Sequence, residues 1–141
     1  MSHRSLSILY WGSTVLLAVM MAGLAFAYFT QPFFVAAFEH LGYPQYFRVM
    51  LALAKAVGAI LLVATVPERL KTFAYDGFAI MFACGAFAHA AAGDPPARLS
   101  AALIAMTLLI VSYVTREKLR TLAREEVPSI TEHASRELAT R

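Results

Sequence analysis

Charge is what this chain has least of. Lys, Arg, Asp and Glu make up 15% of its 141 residues, where soluble domains average about a quarter. The small surplus of +3 is not gathered into a basic stripe, so the electrostatic footprint of a nucleic-acid binder is missing. Cysteine is nearly absent. Cys84 alone excludes an intramolecular disulfide and any cysteine-built zinc or iron–sulfur centre within the chain. There is no P-loop, no GxGxxG fingerprint, no low-complexity tract and no repeat of solenoid length.

What is present instead is apolar sequence, 60% of the chain, and it comes in runs. Four runs reach the length needed to cross a hydrocarbon core of ~30 Å at 1.5 Å per helical residue. They cover about 6–29, 46–66, 72–92 and 99–115. The expected fold is therefore an all-α integral membrane protein, a four-transmembrane-helix bundle occupying 1–115. Residues 116–141 form a polar cytoplasmic tail, in which Val127-Pro128 is expected to break the helix and Ser129 to Glu132 to cap a short terminal one.

The link after the first span is not an ordinary loop. Phe33, Phe34, Val35, Phe38 and Leu41 are apolar there, with Glu39 and His40 among them, so Pro32 to His40 reads as an interfacial helix or re-entrant segment. Gly42 and Pro44 end it. Pro67 closes the second span, with Glu68, Arg69 and Lys71 in a tight charged turn; Gly93-Asp94-Pro95-Pro96 closes the third. Ala79, Ala83, Ala86 and Ala90 form a small-residue stripe on the third span that suits close helix packing. The fourth span has no ionisable group and reads as packing or lipid-facing surface.

Orientation follows from Lys and Arg near the span ends. Arg4, Arg69, Lys71, Arg116, Lys118, Arg120 and Arg124 fall on one side, Arg48 and Arg98 on the other. The positive-inside rule places both termini in the cytoplasm, in what is expected to be a bacterial inner membrane. Glu39, His40, His89 and Asp94 then gather toward the outer face and Asp76 toward the inner one.

The ionisable residues within or beside the spans are the candidate ligand-binding residues: Lys55, His89, Asp76, Glu39 and His40. Intramembrane charge is costly and marks function by default. Lys55 lies ~13–15 Å from either interface by helix rise, too deep for its stem to snorkel, so it should face the bundle interior. Two readings of it stand: a cation for a lipophilic acid, a quinone oxygen or an anionic intermediate, or a structural ammonium held by backbone carbonyls and an acid. Asp76 is the nearest acid by depth, yet ~9 Å nearer the cytoplasm. His89, with His40, Glu39 and Asp94, is a candidate polar site, although their spacing matches no metal motif and no metal is expected. Asp76 and His89 are ~140° apart on the helix, so they do not share a face. Cys84 is expected to be a buried, inert thiol.

Several short motifs occur in a telling order. They are Leu41-Gly42-Tyr43-Pro44, Lys55 ahead of Gly58-Ala59-Ile60, Pro67, Ala74-Tyr75 ahead of Gly77-Phe78, and Gly85-Ala86 ahead of Ala88-His89. In this the chain resembles the DoxX-like membrane proteins over roughly Phe29 to Asp94. The resemblance implies a small four-helix membrane protein, and the family takes its name from a subunit linked to thiosulfate:quinone oxidoreduction. Met81 stands where an acid in the middle of the third helix is associated with relatives.

Three functions are in view. The first is a non-catalytic accessory or packing subunit of a larger membrane complex, such as a respiratory or photosynthetic one. The second is a quinone-linked oxidoreductase component, and the third a binder or carrier of a small lipophile. Whether the chain is an enzyme stays open. No intrinsic cofactor is expected, and quinone is the one candidate. The expected partners are the lipid bilayer and either other membrane subunits or further copies of the chain, without nucleic acid.

Overall fold

A computed structural model of the chain describes the backbone of residues 2–139 and the side chains of residues 2–125. The described residues form five helices: α1 (His3–Thr30), α2 (Pro32–His40), α3 (Gln45–Val63), α4 (Glu68–Ala91) and α5 (Pro96–Ala139). Among these residues there is no strand. Four of the helices, α1, α3, α4 and α5, are long and apolar enough to cross a membrane, and α4 is the least apolar of them. The protein is an all-α integral membrane bundle.

Each span packs on two neighbours, in the order α1, α3, α4, α5 and back to α1. The core is narrow because each helix buries a single stripe. On α3 that stripe is Ala52, Lys55, Ala59 and Leu62; on α4 it is Ala74, Tyr75, Phe78 and Phe82. These spacings of three and four follow the helical period. Phe78, Leu17, Met21 and Leu62 are among the largest fully buried side chains. Most other large apolar side chains point outward, as a lipid-facing surface requires.

The short helix α2 begins at Pro32, whose missing N–H costs nothing at the first helical position. It ends as expected at Gly42. There Gly42 N–H donates to Glu39 C=O at 3.0 Å and Tyr43 N–H to Phe38 C=O at 2.8 Å, a Schellman turn that needs the positive φ of 76° that glycine tolerates. The α4–α5 connection repeats the device. Gly93, at φ 71°, donates to Ala90 C=O at 3.1 Å, and Asp94 N–H donates to His89 C=O at 3.0 Å.

Four sequence expectations are corrected. α3 stops at Val63, not Val66, and Glu68, Arg69 and Lys71 are not a turn but the first turn of α4. Pro67 is its N-cap, and Glu68 complements the positive end of the helix dipole. The alanine stripe of α4 lies mostly outward, open to a helix from outside the chain: Ala83 and Ala90 are exposed and Ala86 half-buried, while Ala79 packs against the core that Tyr75, Phe78 and Phe82 fill. Cys84 is exposed on that same outward side. Finally, helical backbone continues through Val127-Pro128 to Ala139. The expected cap at Ser129 to Glu132 falls on side chains outside the described set.

Candidate functional site

Three polar features are built into the bundle, one at each end and one between. At one end, the α4–α5 turn carries Asp94, whose side chain is only 5% exposed. Its two oxygens serve three elements. His40 Nε2, from the last residue of α2, lies 2.9 Å from Oδ1, and His89 Nδ1, from α4, lies 2.7 Å from Oδ2. Arg98, in the first turn of α5, donates to Oδ1 at 3.0 Å. An ionised carboxylate only accepts, so both imidazoles donate from these nitrogens. The hydrogen bond from His89 and, after the opposing effect of burial, that from His40 and the charge of Arg98 hold the Asp94 carboxyl below its ordinary value. An open depression of about 330 Å³ adjoins this cluster, with His40 to Tyr43 on one side and Ala88, Ala91 and Ala92 on the other.

The structure thus joins His40 and His89 through Asp94, as their expected gathering at one end requires. Glu39 is left out. It is exposed, and its nearest polar partner is Gln45 Nε2 at 3.4 Å. Among the described residues no group of His, Cys, Asp and Glu side chains is arranged to hold a metal ion.

Mid-span, Lys55 faces the interior as its depth demands, 6% exposed. Its expected acidic partner is not Asp76, which lies on the outward face of α4. The ammonium instead approaches Met81 Sδ at 3.2 Å and sits 4.7 Å from the centroid of the Tyr28 ring. Thioether sulfur is a weak acceptor, and an aromatic face attracts a cation through its quadrupole. Tyr28 in turn packs on Phe34 and Phe38 of α2, with ring centroids 4.6 and 5.3 Å away. The aromatic underside of α2 therefore roofs the lysine.

At the other end lies a feature that the sequence reading missed. Tyr75 of α4, Ser112 of α5 and Thr14 of α1 form a buried chain of hydroxyls, each contact 2.6 Å. Its sense is fixed. Thr14 gives its single proton to the Tyr10 carbonyl at 2.6 Å, so it accepts from Ser112, and Ser112 then accepts from Tyr75. Arg116 lies 5.1 Å from the Tyr75 ring and pairs with Glu68 of α4 and Glu117. Arg120 joins Glu68 at 3.2 Å. The signal available beforehand was Ser112 and Thr14 inside apolar runs at levels that α1 and α5 share; nothing in either run names the partner.

Residues 12–112 match the DoxX-like family. No curated protein and no solved structure matches the chain.

Proposed function

Because the chain belongs to the DoxX-like family, we propose that it is a non-catalytic packing subunit of a larger membrane complex, set in a bacterial cytoplasmic membrane with both termini inside. The observation that carries this reading is Asp76. It stands on the outward face of a spanning helix, near Phe73, Gly77 and Ile80, which are exposed with it. By helix rise it is ~12 Å along α4 from Glu68. A carboxylate there has no partner among the described side chains, and facing lipid inside the inner interface costs free energy, though less than the roughly 2.5–3.5 kcal/mol of the helix centre. A neighbouring subunit that brings a hydrogen-bond donor to that level removes the cost. A second copy fits less well: an axis along the membrane normal would set two Asp76 carboxylates opposite one another at equal depth, and like charges repel.

The test is purification in mild detergent, followed by mass spectrometry of the proteins and lipids retained. The expected result is a stoichiometric foreign subunit, lost with Asp76→Leu and kept with Lys55→Met. A homo-oligomer indifferent to Asp76→Leu would sink the reading, and one that retained quinone would favour the redox alternative.

A further inference from the structure

Lys55 is a buried cation without a counter-ion. Among the described side chains its ammonium meets only a thioether and an aromatic ring. Charge taken out of water is compensated when an opposite charge reaches it with good geometry. The route by which one could do so is visible on α4. At 100° per residue, Gly85, Ala88 and Ala92 lie within ~40° of the azimuth of Met81, the residue that touches Lys55. All three are small. A Cβ added at Gly85 would meet nothing within 4 Å, so the space beside Gly85, between the levels of Met81 and Ala88, is open. Ala88 and Ala92 then line the depression of about 330 Å³, opposite His40 to Tyr43. One line of small residues on α4 therefore leads from the outer-end depression toward Met81 and the lysine. From Met81 to Ala88 it is ~10 Å long by helix rise, which matches a medium-chain acyl group.

We propose that the seam between α3 and α4 binds a medium-chain carboxylic acid, its carboxylate on Lys55 Nζ and its chain lying over Gly85 toward Ala88 and the His40–Tyr43 turn. The chemistry at each level fits. The ammonium takes the anionic head through charge-assisted hydrogen bonds, and the alanine and glycine surface takes the hydrocarbon. The Tyr28 ring and Met81 sulfur hold the ammonium in place without neutralising it.

The probe is decanoate labelled with ¹³C at its carboxyl carbon, titrated into the full chain in lipid nanodiscs and read by NMR. A saturable bound resonance, absent from empty nanodiscs, is expected. Lys55→Met should abolish it, and Gly85→Leu, which fills the space beside Gly85 and leaves the lysine intact, should weaken binding about tenfold or more. Unlabelled decanoate should displace the probe and decanol should not. No saturable signal above empty nanodiscs, or a signal unchanged in both variants, overturns the proposal. Should Lys55→Met fail to fold by circular dichroism, Gly85→Leu decides alone, and unchanged binding there is the overturning result.

Discussion

Gly58 lies beneath the Phe78 ring, where an added Cβ would come within 2.6 Å of Cζ. The ring has no room to yield: Phe78 is fully buried and stacks on Phe82 with ring centroids 5.6 Å apart. Overpacking of this kind costs ~1–3 kcal/mol, more than the ~1 kcal/mol that alanine gains over glycine in a helix. Gly58→Ala is therefore expected to lower stability, whereas Gly12→Ala, where an added Cβ meets nothing within 4 Å, should raise it. Denaturant unfolding of the two variants in micelles checks the opposite signs. The hydroxyl chain offers a second test at this scale. Tyr75→Phe leaves Ser112 without its donor, at roughly 0.6 kcal/mol and at most about 1.7 for an interhelical bond in a membrane. A double-mutant cycle with Ser112→Ala should return a coupling of that size; zero coupling would mean that the bond contributes nothing. Residues were unequally legible for a physical reason. The interior position of Lys55 could be read because a charge at that depth has one tolerable place. Asp76 could not be read as outward-facing, because depth says nothing about azimuth. Ser112 looked like packing because a hydroxyl in an apolar run reveals its role only when the opposite helices are in view.

At the scale of elements, two Schellman turns with prolines after them finish α2 and α4 alike. They differ in what bridges the turn. After α2 the contact is aromatic, Phe38 against Tyr43 with ring centroids 6.3 Å apart. After α4 the same two positions are His89 and Asp94, and the bridge is a hydrogen bond of 2.7 Å. Through His40, Asp94 also ties α2, which packs on α1 and α3, to the far side of the bundle. A carboxyl whose value is lowered in the folded state contributes stability above its ordinary range and loses it as pH falls through the lowered value. The tie should therefore hold from neutral through mildly acidic pH and release only in stronger acid. Hydrogen exchange of the last turn of α2 measures this. Its protection should be flat until the pH drops below the ordinary carboxylate range, and Asp94→Ala should speed exchange about tenfold at neutral pH. The ends of α2 were legible because Pro32 and Gly42 punctuate locally. The true start of α4 was not, since Glu68, Arg69 and Lys71 look like a turn until Pro67 is recognised as a cap.

For the whole molecule, the ends of the bundle sort as the charges suggest. His40, His89, Asp94 and Arg98 meet at one, and Glu68, Arg116, Glu117 and Arg120 at the other. With both termini proposed to be cytoplasmic, green fluorescent protein fused after Arg141 should fluoresce and alkaline phosphatase at the same position should be inactive; the reverse pattern would invert the topology. The four-span architecture was the most legible property of the chain, because run length against bilayer thickness is a one-dimensional quantity. Which helix faces which is two-dimensional, and the runs leave it open.

The weak apolarity of α4 bears on how the protein is made. This helix carries Asp76 outward and is joined to the strongly apolar α5 by the short Gly93–Asp94 turn and its prolines. Left alone at the insertion machinery, α4 has the least reason of the four to leave the aqueous channel. Paired with α5, it buries Tyr75 against Ser112 and closes Glu68 on Arg116. Biogenesis would then proceed by hairpins, with α4 retained beside the translocon until α5 emerges from the ribosome.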